Sequence, residues 1–125
     1  MALAWYTQGG GSRVQIAWSD DGGRSFGAAQ RVDAGGALGR VDACAGPDGR
    51  VLVSWLQQQP DASGWMARGF GADQSAGERF MLGAGATGRE VGMLRLAADA
   101  RGWLAAWTAD GGRGLRCARV LPPAP

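Results

Sequence analysis

The chain of 125 residues is 46% hydrophobic and carries six tryptophans, enough apolar side chain to fill a core and too much for a disordered tail. Thirteen basic against eleven acidic residues leave a formal net charge of +2. The basic residues stand singly, without the stripe or cluster that nucleic-acid binding requires.

In chain order, "LAWYT" (3–7), "RVQIAW" (13–18), "AAQRV" (28–32), "VDACA" (41–45), "RVLVSWL" (50–56), "GWMARGF" (64–70), "ERFML" (78–82), "GMLRLAAD" (92–99), "GWLAAWTA" (102–109) and "GLRCARV" (114–120) read as short strands. Between them lie "QGGGS", "DDGG", "GPDG", "DARG" and "DGGRG", whose Gly, Pro and Asp content marks turns and leaves no room for a helix of useful length. The reading is an all-β sandwich, barrel or propeller.

A repeat chooses among these. Trp5, Trp55 and Trp107 close similar strands, and tight turns "GPDGR" and "ADARG" precede the second and third. A period of about fifty residues, with four antiparallel strands per unit, is the signature of propeller blades. With strands lettered A to D from the axis outward, residues 1–34 give B-C-D, 35–84 give A-B-C-D, and 85–125 give A-B-C without an outer strand. The expectation is a partial β-propeller of about two and a half four-stranded blades, too few to close a ring. The tail "VLPPAP" reads as a terminus because its prolines cannot continue a ladder. The chain is accordingly expected to be the C-terminal part of a larger, six-bladed propeller truncated at or before Met1. Its open edges and faces should make it self-associate when expressed alone, unless the remaining blades cover them.

Residues 19–26, "SDDGGRSF", fall at the C-to-D turn of the first blade. Asp21 can accept hydrogen bonds from amides of its own turn, Gly23 supplies a conformation that a Cβ would penalise, Ser19 ties the other end, and Phe26 is expected to fold back as an apolar plug. Ser19, Asp21, Gly23 and Phe26 fit Ser-x-Asp-x-Gly-x-x-aromatic, which resembles the Asp-box, or BNR repeat, of the sialidase superfamily, found in those propellers at the same turn. The resemblance implies a structural staple on the face opposite the sialidase active site. The second such turn, "GADQSAGERF", keeps Asp73 and Phe80 without the spacing. A calcium loop is disfavoured because the twelfth position from Asp20 is Arg31 rather than Glu.

A ligand is expected on the other face, where the D-to-A connections each set an arginine, Arg40 and Arg89, after a Gly-rich approach. Two guanidinium forks at equivalent positions suit a carboxylate or phosphate on a sugar or small acid. The preferred reading is nevertheless that both are solvated loop residues, with the ligand role as the alternative. Sialidases use an arginine triad, and the resemblance further implies a tyrosine nucleophile with a glutamate partner and an aspartate acid. The only tyrosine, Tyr6, lies within a strand, its default role is core packing, and neither Glu78 nor Glu90 is placed beside it by sequence. No catalytic residue is assigned. The leading function is a non-catalytic sialidase-like binding or scaffold module. Two alternatives stand beside it: part of a glycoside hydrolase whose catalytic groups lie in missing blades, and a structural interaction domain.

No histidine occurs, and Cys44 and Cys117 match no zinc spacing, so no metal or other cofactor is indicated. Two buried free thiols are the preferred reading and one disulfide the alternative. No apolar run approaches the ~20 residues of a membrane span. "MALAWYTQ" lacks the regions of a signal peptide, so an exported parent would carry its leader outside this chain.

Overall fold

The computed structural model describes residues 1–85, 92–109 and 113–121. Its strands are β1 (Ala2–Thr7), β2 (Arg13–Trp18), β3 (Gln30–Arg31), β4 (Ala37–Ala45), β5 (Val51–Gln58), β6 (Ser63–Phe70), β7 (Ala76–Ala84), β8 (Arg95–Asp99), β9 (Gly102–Ala109) and β10 (Gly114–Val120). A one-turn 3-10 segment at Pro47–Gly49 joins β4 to β5. The chain is all-β.

The strands form three antiparallel sheets, β1-β2-β3, β4-β5-β6-β7 and β8-β9-β10, none of them closed. Each is a meander in which sequence neighbours pair, as short Gly- and Asp-rich turns dictate. The "AAQRV" run contributes only two residues to β3, although the Val32 amide extends the pairing by donating to Val14 O at 2.8 Å. "VDACA" is the second half of a longer β4.

The sheets pack face upon face, with the four-stranded sheet in the middle. Its central strand β5 is buried from Val51 to Leu56, because both of its faces are covered. Successive side chains of a strand point to opposite faces, so the two sets can be followed separately. Val51, Val53 and Trp55 join Val14, Ile16 and Val32 in a core against the first sheet. Leu52 meets Trp103, Ala67 and Val120, while Leu56 meets Trp65, Leu94, Ala105 and Trp107, in two cores against the third sheet. Burying a side chain of this size contributes about 1.5–3 kcal/mol, so β5 ties the stack together.

Between sheets the nearest strands are β1 and β2 against β4, and β4 against β8. Three bonds stitch β4 to the third sheet and the segment leading into it: Arg40 Nη1 donates to Gly92 O, before β8, at 2.7 Å, the Leu96 amide to Asp42 Oδ2 at 2.9 Å, and Trp103 Nε1 to Cys44 O at 3.0 Å. Gly46 is required beside them, because a Cβ there would lie 2.3 Å from Trp103 Cζ2.

Candidate functional site

Arg40 sits on an irregularity of β4. The register against β5 shifts between Ala37 and Gly39 and again between Gly39 and Asp42. Gly39 and Arg40 there take φ of 102° and 53°. For a non-glycine residue the left-handed region costs about 1–2 kcal/mol, and a bulge is a common way to re-aim a side chain at a sheet edge. Gly39 packs on the Tyr6 ring, which a Cβ would approach to 3.2 Å. The Arg40 side chain is exposed and reaches Gly92, on the segment that leads into β8. A guanidinium has five N–H donors, so the Gly92 bond leaves it able to hold an anion bidentately. Its sequence partner Arg89 lies outside the described residues, as does Glu90.

Tyr6 packs its ring against the first core, and its hydroxyl donates to Ser12 Oγ at 3.0 Å and accepts from Gln8 Nε2 at 3.3 Å. Glu78 lies on the outer strand β7 of a different sheet, close enough to Arg68 to act on its charge.

Ser19, Asp21 and Gly23 are brought together in the β2–β3 turn. Ser19 Oγ donates to Asp21 Oδ1 at 2.8 Å and accepts from the Gly23 amide at 2.8 Å. Asp21 also accepts from the Ser25 amide at 2.9 Å and from the Ser25 hydroxyl at 2.5 Å. These donors, the Ser25 hydroxyl foremost, lower the Asp21 pKa to about 2. Gly23 holds φ of 89° and lies against Met1, whose carbonyl accepts from the Ser19 amide at 2.8 Å. Phe26 departs from its expected place: the ring is not a buried plug but remains 39% exposed. Phe26 lies on the rim of a 380 Å³ cleft with Trp18, Asp20 and Gln74, and the Trp18 indole packs edge-on to Phe70 with centroids 5.4 Å apart. At the β6–β7 turn, Asp73 repeats the serine capture on a shorter span, accepting from the Ser75 amide and hydroxyl at 3.1 and 2.6 Å.

A polar cluster that the sequence did not single out lies where β3 leaves the first sheet. Asp33 is fully buried and accepts from the Val14 amide at 2.9 Å, the Gly35 amide at 3.0 Å, and Arg31 Nε and Nη2, each at 3.2 Å. Burial pushes this carboxyl up, but the Arg31 fork and the two amides outweigh it and hold its pKa below the ordinary value. Arg79 Nε and Arg68 Nη1, from the middle sheet, donate to Val32 O at 2.8 and 3.1 Å. The available signal was the triplet Arg-Val-Asp, which occurs at 31–33 and again at 40–42. Both of its aspartates capture a backbone amide from another strand.

A cleft of 640 Å³ opens at the turn end of the middle sheet and is lined by Asp48, Arg50, Phe70, Asp73, Ser75 and Trp103 among small residues. No group of three or more His, Cys, Asp or Glu able to hold a metal ion occurs among the described residues. Both cysteines are free, and Cys117 is exposed on β10 rather than buried. No helix is long and apolar enough to cross a membrane among the described residues. Comparison with protein-family models, curated proteins and solved structures finds no match to this chain.

Proposed function

We propose that this chain is a non-catalytic binding or scaffold module of the sialidase-like propeller type, its three sheets acting as blades and the Gly39–Arg40 bulge as the contact for a carbohydrate or small anionic ligand. The observation that carries the reading is Arg40: an exposed guanidinium on a bulge with a positive φ, at the strand that neighbours both flanking sheets. Strain of this kind persists where surrounding structure enforces it and is concentrated at functional positions. The engaged Tyr6 hydroxyl supports a binding rather than a hydrolytic role. The turn at Ser19–Phe26, with its aspartate saturated by internal donors, is on this reading a staple rather than a site.

Isothermal titration with sialic acid and simple uronic acids tests it. Wild type should bind at least one of them, and Arg40→Ala should weaken that binding by roughly tenfold or more, the effect of losing one charge-assisted contact. Equal binding by the variant, or none by wild type, removes the ligand role. Release of fluorophore from a fluorogenic sialoside would replace the module by a hydrolase.

A further inference from the structure

The repeat assigns each sheet two faces, and each junction inside the molecule joins one kind of face to the other. Pairing Trp55 with Met66 and Trp107 with Arg116 aligns the second and third sheets residue by residue, and pairing Trp5 with Gln15 aligns the first. The face toward the preceding sheet carries Val51, Val53 and Trp55 in the middle sheet and Trp103, Ala105 and Trp107 in the third; all six are buried. In the first sheet the same positions are Met1, Leu3 and Trp5. Among the described residues none of the three belongs to a core; Trp5 is half-buried, while Met1 and Leu3 are 70% and 51% exposed.

The opposite face behaves in the complementary way. Leu52, Leu56, Trp65 and Ala67 are buried under the third sheet. Their counterparts on the third sheet are Leu104, Thr108, Leu115 and Cys117, of which Leu104 is 44% and Leu115 70% exposed. The charged residues of this face are Arg95, Asp99 and Arg119; Asp99 and Arg119 neutralise each other through bonds of 2.8 and 3.1 Å, and Arg95 lies 3.7 Å from Asp42 Oδ2 at the edge beside β4. Among the described residues, the first sheet therefore presents an exposed face of one kind and the third sheet an exposed face of the other.

We infer that the occupant of the first sheet's open face is the third sheet of a second copy of this chain, docked as the middle sheet docks on its neighbours, so that copies add head to tail. The inference rests on the stacked-sheet part of the proposed function and not on the ligand role of Arg40. Because the two docking faces differ, the contact is heterologous, and it closes into a ring or continues as a chain according to the rotation per copy. It extends an existing packing mode and buries the apolar residues that the free chain exposes.

Light scattering coupled to size-exclusion chromatography, on the full chain, decides it. Wild type should exceed the 12.9 kDa of one copy and grow with concentration. Leu3→Lys and Leu104→Lys should each give monomers, with dissociation constants raised at least ~10-fold by a charge in the centre of the contact. Mixed together, these two variants should form a one-to-one dimer and nothing larger, because each retains the face that the other has lost. Both sites are exposed in the single copy, and melting curves report whether the fold is kept; Leu3→Thr and Leu104→Thr replace any variant that fails this check. A cooperatively melting wild-type monomer across the micromolar range overturns the proposal while leaving the fold and the Arg40 site standing. Assembly unaffected by Leu3→Lys, as two third sheets packed back to back would give, overturns it equally, and so does a mixture that stays monomeric.

Discussion

The two junctions of the stack are built from the same sheet geometry and held by different means. Between the first and middle sheets the polar work is done at the outer edge, where Arg68 and Arg79 reach the carbonyls of Val32 and its neighbours and Asp33 gathers the loop beneath them. Between the middle and third sheets it is done along β4, by Arg40, Asp42 and the Trp103 indole's bond to Cys44 O, over two cores that together hold three tryptophans. A short, two-residue β3 cannot cover the edge of its sheet with apolar side chains, so arginines from the neighbour satisfy its carbonyls instead. The third sheet has longer strands and tryptophan to bury, and its junction depends on packing.

This contrast can be broken by substitutions chosen for each side. The largest effect should come from Trp103→Ala, which removes a fully buried indole and its bond to Cys44 O and should cost about 3–5 kcal/mol. Gly46→Ala should approach it by driving a methyl into the same ring. Thermal or urea unfolding measures both; a loss below ~1 kcal/mol in either would mean that the packing-based account of this junction is wrong.

Next in size is Asp33→Ala at the other junction, where two buried amides and the Arg31 fork lose their acceptor, at a cost of about 2–3 kcal/mol. The pH dependence sharpens the contrast. The Asp33 pKa is lower in the folded chain than the ~3.9 of an unfolded aspartate, so its contribution is complete above that value and fades as pH falls through the lower, folded one. Wild type should therefore lose stability on acidification below about pH 4, and Asp33→Ala should lose less over the same interval. Identical acid titrations of the two proteins would exclude Asp33 as a source of that dependence.

The smallest effect should be at the exposed turn. Asp21→Ala removes an acceptor whose donors, Ser25 above all, can turn to water, so the melting temperature should fall measurably but by less than for Asp33→Ala. Ligand titrations should be unchanged. A larger loss at Asp21 than at Asp33 would reverse the order of importance given to turn and junction.

Much of the fold was legible in sequence because strand and turn signals are local. "RVLVSWL" is apolar on both faces and became the strand buried on both faces, while "GPDG" and "DARG" became the turns that lead into the tryptophan strands β5 and β9. The bulge at Arg40 was less legible, since Gly39 announces a permissive backbone but not the register shift that uses it. The exposure of Phe26 is not legible in the motif, which specifies spacing and not which apolar surface lies within the ring's reach. Arg68 and Arg79 could not be read at all, because their partners are backbone carbonyls some forty positions away and a carbonyl carries no residue identity.

That the middle sheet stands between two others has a consequence for how the molecule comes apart. Each core contains residues of adjacent sheets only, so the stack behaves as a short one-dimensional array in which a sheet is stabilised by its own hairpins and by its immediate neighbours. The outer sheets each have one neighbour and the middle sheet has two. Partial opening therefore proceeds from the ends inward, and the backbone amides of β5 are the last to exchange with solvent, since freeing them requires both flanking sheets to leave.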